Sequence, residues 1–451
     1  MTNKKDTKSI TRLNNGIWLY FFLLIFEGAL RKWLLPGLAA PLLIIRDPLA
    51  LYILLNSWHN DLLKANTYLT GMILIGFISF FTAIFLGHGS LPVAIFGARI
   101  LLLQFPLIFV IGKIFNREDV LQMGKVILWI CLPMTLLIAL QFYSPQSAWV
   151  NRGIGGVVEE NGFQGALGHF RPPGTFSFVT GTYLFYGLAA CFIVYFWLTG
   201  KNVNRVLLIS STLAVMAAIP LSISRTLFFE ICITVFFAFI GVSQKPKYLG
   251  KMILTVVIAF VALAILSKTS FFQGATETFF ARFTNASETE GGLQGTLGDR
   301  FLGGLVSAIA GSVDLPFFGY GLGMGTNVGS QLMAGGRKFL LHEEEWGRII
   351  DELGPILGLA VILLRVGLII KIAKACFKKL HDGQMLPWLL LSFGFLQVAQ
   401  GNWAQPTSLG FCTLIGGLML ASLRMSPSQV NVSIKENNFS VKFSNKSFSY
   451  N

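Results

Sequence analysis

The sequence GDRFLGGLVSAIAGSVDLPFFGYGLGMG occupies residues 298–325, and HEEEWGRIIDELGPILG occupies residues 342–358. With the polar segment between them, they carry most of the polar chemistry of a chain that otherwise consists largely of apolar runs. This concentration of charge indicates that the stretch is functional. Its charged and titratable side chains include Arg300, Arg337, Lys338, His342, Glu343, Glu344, Glu345, Arg348, Asp351 and Glu352.

Of the 451 residues, 54% are hydrophobic and 12% are charged, and the mean hydropathy is +0.66. Soluble domains typically contain about 25% charged residues, so this composition predicts an all-α, polytopic integral membrane protein. The cysteines and histidines show neither a disulfide framework nor the spacing of a zinc site, and we expect no metal and no cofactor. These residues are Cys131, Cys191, Cys232, Cys376 and Cys412, and His59, His88, His169, His342 and His381.

Apolar runs long enough to cross a bilayer recur along the chain. A hydrocarbon core roughly 30 Å thick requires about 20 apolar residues per helix, which predicts about twelve transmembrane helices here. Pro220 and the turn Ser222–Arg225 separate the seventh span from the eighth. The predicted spans are Gly16–Leu35, Leu38–Trp58, Tyr68–Gly87, Leu91–Lys113, Lys125–Tyr143, Ser177–Leu198, Val206–Ser222, Thr226–Val242, Lys251–Ser267, Ile350–Ile372, Leu386–Trp403 and Pro406–Leu423.

Basic residues between the spans set the expected orientation. With the N-terminus in the cytoplasm, the short cytoplasmic loops and both tails receive most of the 35 Lys and Arg residues. Residues 1–15 are then predicted to be a cytoplasmic tail without a cleavable signal peptide. Residues 16–425 form the transmembrane domain, and residues 426–451 are predicted to be a disordered cytoplasmic tail. The net charge of +14 is dispersed between the hydrophobic segments, which favours anionic lipid headgroups over nucleic acid.

This orientation leaves two long outer loops, at about residues 144–176 and 268–349. Loops of that length are usually functional or disordered. The second includes an apolar, partly helical segment at Phe301–Val313, which we expect to lie in the membrane interface or to pack on the bundle.

Three arginines lie on the predicted outer side, two of them beside predicted spans and one within the second long loop. Arg171 belongs to HFRPPGTFSF, Arg225 follows the turn Ser222–Ser224, and Arg300 opens the amphipathic segment. A guanidinium group stays charged and binds phosphate in a bidentate manner, so Arg225 is a candidate for binding a phosphate, and the prolines after Arg171 would hold that side chain at the membrane surface. The alternatives are a structural loop for Arg171, a snorkelling side chain for Arg225 and a pair with Asp299 for Arg300.

Gly319, Gly321, Gly323 and Gly325 alternate in FFGYGLGMG. Alternating glycines let backbone N–H groups approach an anion, although the spacing matches neither common nucleotide-binding motif. Close helix packing explains the pattern equally well, and both interpretations stay open.

His342 and the glutamates that follow it are the candidates for a general base. An acidic helix N-terminus, favoured by the helix dipole, is the alternative for the run Glu343–Glu345. Glu352 lies further into the helix, where an unpaired carboxylate would be costly, and we expect it to contact a cation or an aqueous cavity. We assign Arg348 and Glu352 supporting roles.

A second polar set lies in FEGALRKWLLPG and IIRDP, near the N-terminus. Glu27 and Arg31 are spaced i,i+4 and should pair on one helix face, while the adjacent Arg46 and Asp47 need partners elsewhere. A structural ion-pair network with a supporting role is the favoured interpretation. Two further arginines are isolated in apolar runs and are either snorkelling or internally paired. They are Arg99 and Arg365.

Four motifs follow one another along the chain: RPPGTF at Arg171–Phe176, the SR turn at Ser224–Arg225, GDRF…LPFFGYGLG at Gly298–Gly323, and the stretch that ends ELGPILG at Gly358. In this order they resemble the O-antigen ligase/polymerase family of bacterial envelope enzymes, and the number of predicted helices agrees with that family. The resemblance implies a GT-C-like membrane fold and a glycosyltransferase of the bacterial inner membrane with a periplasmic active site.

The family uses glycans on undecaprenyl diphosphate as donors and needs neither a metal nor a nucleotide sugar. The resemblance implies that Arg171, Arg225 and Arg300 hold the lipid diphosphate. It also implies that a base near His342 deprotonates the acceptor hydroxyl.

The ligases of the family carry this base as a histidine at a fixed distance before the glycine of the ELG motif. Counted back from Gly354, that position is Glu343 in this chain, and His342 comes one residue earlier. His342, Glu343 and Glu344 are therefore rival bases.

These expectations favour a polymerase that joins repeat units of an exopolysaccharide or O-antigen. A ligase that transfers the finished glycan to lipid A-core or another acceptor is second, because the departure at Glu343 weakens that assignment. A flippase or solute transporter is the alternative of another class, and a non-catalytic scaffold is a further one. The expected partners are the lipid-linked glycan, an acceptor glycan or lipid, membrane lipids and other polysaccharide-assembly proteins.

Overall fold

The computed structural model describes residues 4–158, 163–200, 203–243, 246–289, 315–335, 340–342 and 344–424. The structure is 78% helical, and its described ranges contain no strand beyond an isolated antiparallel bridge between Gln164 and Phe170. The prediction of an all-α protein is therefore confirmed.

Sixteen α-helices follow one another in the described ranges, with three π- or 3-10 segments that extend the helices near the N-terminus. The α-helices are α1 (Lys4–Ala29), α2 (Ala39–Leu42), α3 (Arg46–His59), α4 (Thr67–Phe85), α5 (Leu91–Arg99), α6 (Phe105–Ile114), α7 (Arg117–Tyr143), α8 (Val179–Thr199), α9 (Arg205–Leu221), α10 (Arg225–Ser243), α11 (Pro246–Ser267), α12 (Ser270–Thr289), α13 (Asn327–Ala334), α14 (Glu345–His381), α15 (Leu386–Gln400) and α16 (Pro406–Ser422). The extensions are a π-helix at Leu30–Leu34, a 3-10 turn at Pro36–Leu38 and a π-helix at Ile100–Gln104.

Each of the predicted spans except Ile350–Ile372 coincides with a helix or a helical run. Within the described residues, eight helical runs are long and apolar enough to cross a membrane, and three shorter apolar helices accompany them. The chain is therefore a polytopic α-helical membrane protein by these criteria, while the count of about twelve spans remains a prediction. The shorter helices are α9, α15 and α16.

The centre of the bundle is formed by α8 and α16, whose residues are almost all buried. Glycines let α16 approach α6 closely, because a Cβ atom at Gly416 or Gly417 would contact Ile108 and Ile111. Small residues serve this purpose in membrane bundles, where the apolar lipid gives helices little hydrophobic drive to associate.

The predicted uninterrupted span Ile350–Ile372 is wrong, because the chain reverses inside α14. Gly354 has φ 78° and ψ 170°, and Pro355 follows it. Arg365 Nη1 lies 2.6 Å from Glu345 Oε1, whereas a continuous helix would separate residues that are twenty positions apart by about 30 Å. Glu345–Leu353 therefore folds back beside the helix that begins at Pro355.

The predicted outer loop at 268–349 contains more helix than expected. In α12, Ala275, Thr278 and Phe279 are buried while Phe271 and Phe280 are exposed, which makes α12 an amphipathic helix packed on the bundle. It is too polar to be found by a search for apolar runs. The predicted helical segment at Phe301–Val313 lies outside the described residues.

The reversal at Gly354 generates the first testable prediction. We expect Gly354→Ala to lower the free energy of unfolding by about 1–3 kcal/mol, since this backbone conformation is nearly exclusive to glycine. A Cβ atom there would also overlap the Phe317 carbonyl oxygen. The measurement is thermal unfolding of the purified protein in detergent.

Gly274→Ala is the matched control, because Gly274 lies in α12 with open space around its Cα. It should leave the unfolding temperature unchanged or raise it slightly. Equal effects of the two substitutions would contradict the proposed reversal.

Candidate anion-binding site

Three arginines from separate parts of the chain come together at the end of the bundle where α9 is joined to α10. Arg171 lies in the connection between α7 and α8, Arg225 is the first residue of α10, and Arg282 lies in α12. Arg171 interacts electrostatically with both of the others, and all three side chains are half-buried. We call Arg171, Arg225 and Arg282 the arginine cluster.

The turn before α10 fixes the position of Arg225. Ile223 has φ +49° and is fully buried, an unusual conformation for a β-branched residue. Its side chain packs over Gly165, where a Cβ atom would come within 2.8 Å of it. The Ser224 hydroxyl accepts a hydrogen bond from the Leu227 amide. The tight turn predicted between the seventh and eighth spans is thus confirmed, and it is docked on the segment that leads to Arg171.

Arg282 is the member of the arginine cluster that sequence reasoning missed. Its Nη1 donates to the carbonyl oxygens of Gln164 and Gly165 at 3.4 and 3.3 Å, which ties α12 to the segment that leads to Arg171. The available signal was the sequence FFQGATETFFARF, in which apolar residues recur at helical spacing. Arg300, the third predicted arginine, lies outside the described residues.

Two like charges act on Arg171 within the arginine cluster. Burial, followed by the positive charge of Arg282 and then of Arg225, lowers the pKa of Arg171 to about 10, with Tyr183 opposing this change. Arg171 Nε is also buried without a hydrogen-bond partner in the described structure. Like charges held together raise the free energy of the folded state, and a buried unpaired donor adds to that cost. A multivalent anion would remove both costs.

His342 is paired with Asp351. His342 Nδ1 lies 2.6 Å from Asp351 Oδ2, and the His342 amide donates to the same oxygen at 3.1 Å. The Asp351 side chain is only 7% exposed, whereas that of His342 is 60% exposed. A carboxylate that accepts from Nδ1–H holds the ring in the tautomer whose Nε2 can accept a proton. This is the arrangement that a general base requires.

The glutamates after His342 differ from one another. Glu344 is exposed at the N-terminal boundary of α14, Glu345 is buried between two arginines, and Glu343 lies outside the described residues. Asp351, which the sequence analysis grouped with the charged stretch without a role, is the residue that orients His342.

Arg348 and Glu352 belong to a buried, charge-balanced network. Arg348 contacts Glu352 at 2.7 Å and Glu345 at 3.0 Å, and Arg365 contacts Glu345 at 2.6 Å. The cavity beside this network has a volume of about 10 Å³, which is room for one water molecule at most. The expectation that Glu352 contacts a cation is confirmed, and Arg365 is internally paired. The network supports the fold of α14.

The alternating glycines serve close packing. Gly323 lies against Gly97 of α5, and a Cβ atom at Gly97 would come within 2.5 Å of the Gly323 amide. The amides of Tyr320 and Gly321 donate to the carbonyls of Asp351 and Glu352, which lose helical partners at Gly354–Pro355. The Gly325 amide donates to Glu352 Oε1 at 2.8 Å. Because these amides already donate to oxygen atoms of the protein, they are not available to an anion. Close packing therefore explains these glycines.

The N-terminal polar set forms the expected ion-pair network. Glu27 contacts Arg31 at 3.2 Å and Arg46 at 3.3 Å, and Arg99 contacts Asp47 at 2.6 Å. Arg31 Nη1 also donates to Ser177 Oγ at 3.0 Å. Glu27 and Arg31 therefore support the connection that carries Arg171.

The arginine cluster and the His342–Asp351 pair both lie near the C-terminal end of α15. Gln397 Nε2 donates to Glu230 of α10 at 3.1 Å, and Trp346 of α14 donates to the Ala399 carbonyl at 3.0 Å. Glu230, five residues after Arg225, is a second residue that the sequence analysis did not single out. A carboxylate inside an apolar helix was the signal that could have identified it. The arginine cluster and the His342–Asp351 pair thus lie at the same end of the bundle.

In the part of the chain that the structure describes, no three His, Cys, Asp or Glu side chains are grouped to hold a metal ion. No protein-family model matches the chain, and no curated protein matches it. The functional argument therefore rests on the residues themselves.

The lowered pKa of Arg171 predicts how the stability of the folded protein changes with pH. Burial and the neighbouring arginines lower the pKa of Arg171 to about 10 in the folded protein, below the pKa of an arginine in the unfolded chain. The unfolded state therefore binds more protons above pH 10, and stability must rise with pH there. We expect the unfolding temperature of the wild type, relative to Arg171→Gln, to rise between about pH 9 and pH 11.

Inorganic diphosphate should suppress this rise, because a bound anion favours the protonated guanidinium. Arg152→Gln is the control, since Arg152 lies exposed in the same connection between α7 and α8. Parallel pH curves for the wild type and Arg171→Gln would show that the arginine cluster is not strained by its charge.

Proposed function

We propose that the protein is a polysaccharide polymerase-like glycosyltransferase of the bacterial inner membrane that uses glycans linked to undecaprenyl diphosphate. The observation that carries this proposal is the arginine cluster, which gathers three cations and leaves the buried Arg171 Nε without a partner. Guanidinium groups match the geometry of phosphate oxygens. A lipid diphosphate would supply two phosphates to arginines that lie at the end of a membrane bundle. The resemblance to the O-antigen ligase/polymerase family and its GT-C-like fold supports the same assignment.

In the proposed reaction the arginine cluster binds the diphosphate of the donor. The acceptor hydroxyl attacks the anomeric carbon from the face opposite the diphosphate, and the bond between that carbon and the diphosphate oxygen breaks. The leaving group keeps the electron pair of the broken bond. The three guanidinium groups stabilise the charge that develops on it.

The proton of the acceptor hydroxyl goes to a base, and His342 is the best candidate among the described residues. Its Nε2 is on the exposed side of the ring, while Asp351 holds Nδ1 at 2.6 Å. Asp351 also stabilises the imidazolium that forms after proton transfer, as a carboxylate does in a catalytic triad. Glu344 is exposed nearby but lacks such an orienting contact among those described.

Polymerase and ligase share this chemistry and differ only in the acceptor. A polymerase transfers the growing glycan to another lipid-linked repeat unit, whereas a ligase transfers the finished glycan to lipid A-core. We favour the polymerase because the base position that is typical of the ligases is occupied by Glu343. Periplasmic orientation of the site and cytoplasmic termini are part of the proposal, supported by the distribution of basic residues.

One observation favours a transporter instead. Glu230 is only 8% exposed within α10, and its Oε2 has no hydrogen-bond partner in the described structure. Carboxylates at such positions often line ion or substrate pathways. The three arginines at the end of the bundle favour chemistry at the membrane surface, and we therefore place the transporter second.

The first prediction about activity concerns substitution of the three arginines of the arginine cluster. We expect Arg171→Gln, Arg225→Gln and Arg282→Gln each to lower kcat/KM for glycan transfer by about 10²–10³-fold, as the loss of one electrostatic donor does in other enzymes. The measurement is release of undecaprenyl diphosphate and elongation of the glycan by purified protein. Arg152→Gln is the matched control and should retain full activity.

If the wild type leaves the cognate donor untouched with and without acceptor, the transferase assignment fails and transport assays follow. If only Arg282→Gln retains activity, the arginine cluster is smaller than proposed.

The His342–Asp351 pair predicts a different pattern. We expect His342→Gln to lower kcat by about 10²–10⁴-fold with little change in KM, because a general base acts on the transition state. Asp351→Asn should also lower kcat, since the amide no longer enforces the reactive tautomer. Glu344→Gln is the neighbouring control. Loss of activity in Glu344→Gln alone would move the base to that residue.

A further inference from the structure

Lys32 is a buried basic side chain that the proposed mechanism does not use. It is 3% exposed and lies in the π-helical segment Leu30–Leu34 that follows α1. Its only acidic neighbour along the helix, Glu27, is occupied by Arg31 and Arg46, and among the described residues no carboxylate pairs with Lys32. Buried cations without a counter-charge are costly in a membrane protein and are commonly functional.

The Lys32 ammonium holds the turn that follows Arg171. Its Nζ donates to the Gly174 carbonyl at 2.7 Å and to the Phe176 carbonyl at 2.9 Å. Gly28, one turn earlier on α1, allows this approach, because a Cβ atom there would overlap the backbone of the same turn. The end of α1 and the turn at 174–176 are therefore in direct backbone contact.

Gln141 of α7 holds the same turn from the other side. The Gly174 amide donates to Gln141 Oε1 at 2.8 Å, and Gln141 Nε2 donates to the Gly174 carbonyl at 3.2 Å. That carbonyl thus accepts from Lys32 and Gln141 together and has both lone pairs occupied. Gly174 itself has φ +60°, a conformation that glycine adopts without strain.

The fixed turn contributes to the direction of Arg171. Only Pro172 and Pro173 separate Arg171 from Gly174, and the proline rings fix their own φ angles. The Thr182 hydroxyl donates to the Pro172 carbonyl at 3.1 Å. The Arg171 amide donates to the Phe163 carbonyl at 2.8 Å, which holds the N-terminal side of the residue. Since Arg171 Nε has no partner of its own, the direction of the guanidinium depends on the backbone on both sides, and the fixed turn holds the C-terminal side.

We propose that Lys32 is a positioning residue of the anion site, which acts by fixing the turn at Gly174–Phe176 and, through it, the direction of Arg171. The inference rests on the anion site of the proposed function. It predicts that the contribution of Lys32 to anion binding depends on Arg171 being present.

A double-mutant cycle tests this dependence. The dissociation constant for undecaprenyl diphosphate is measured in detergent for the wild type, Lys32→Met, Arg171→Gln and the double variant. We expect Lys32→Met to weaken binding by about 10–100-fold, as a displacement of about 1 Å does at a preorganised site. The double variant should bind no more weakly than Arg171→Gln alone, because both changes remove the same interaction.

Two controls separate positioning from charge and from general destabilisation. Lys64→Met removes an exposed lysine and should leave binding unchanged. In the Arg282→Gln background, Lys32→Met should retain its full effect, because Arg282 is held by α12 rather than by the turn. The saturated rate of transfer should change less than the dissociation constant.

The possible outcomes distinguish the inference from the proposed function. If the wild type does not bind undecaprenyl diphosphate, the anion site fails and the inference fails with it. If the wild type binds but Lys32→Met and Arg171→Gln act additively, the inference alone is overturned. If Lys32→Met does not yield folded protein, Gln141→Met replaces it in the double-mutant cycle, because Gln141 holds the amide and the carbonyl of Gly174. Additive effects of Gln141→Met and Arg171→Gln on the dissociation constant would also overturn the proposal.

Discussion

The 2.6 Å ion pair between Glu345 and Arg365 joins two parts of the chain that are twenty residues apart, and both side chains are almost fully buried. In an apolar bundle, removing either partner would leave an uncompensated charge at a cost of about 3–5 kcal/mol. The pair therefore requires the reversal at Gly354 and keeps Glu345–Leu353 beside the following helix. That short helix carries Asp351, so the orientation of His342 depends on this buried pairing as well.

The cost of an uncompensated buried charge also distinguishes the ion pairs that support the fold from the arginine cluster. Arg348 and Arg365 pair with Glu345 and Glu352, so this network is neutral. Glu27 is shared by Arg31 and Arg46, each of which therefore has a carboxylate partner. In the arginine cluster two further arginines act on Arg171, and Tyr183 opposes their effect. This local excess of positive charge around Arg171 is the basis of the proposed anion site.

Hydrophobic length could predict the positions of the helices, and i,i+4 spacing could predict the pair Glu27–Arg31, because both follow from local geometry. The adjacency of Arg46 and Asp47 likewise predicted separate partners. The reversal at Gly354 depends on a contact across twenty residues, and the packing of Arg282 depends on a helix too polar to stand out as a span. The role of Lys32 depends on a turn 142 residues away in sequence. Such contacts leave no periodic signal in one sequence.

The arginine cluster is held in place by several energetically costly features of the fold. Ile223 keeps an unfavourable φ of +49°, Lys32 is buried without a carboxylate partner in the described structure, and like charges face one another at Arg171. Each of these costs is offset by the packing of the bundle. In the proposed function a diphosphate would meet donors that are already held in place, so more of its interaction energy would appear as binding and as stabilisation of the leaving group. Rigid segments hold Arg171 and Arg225, whereas Arg282 is carried by the peripheral helix α12. Adjustment to donors of different size should therefore come from α12 and not from the turn that Lys32 fixes.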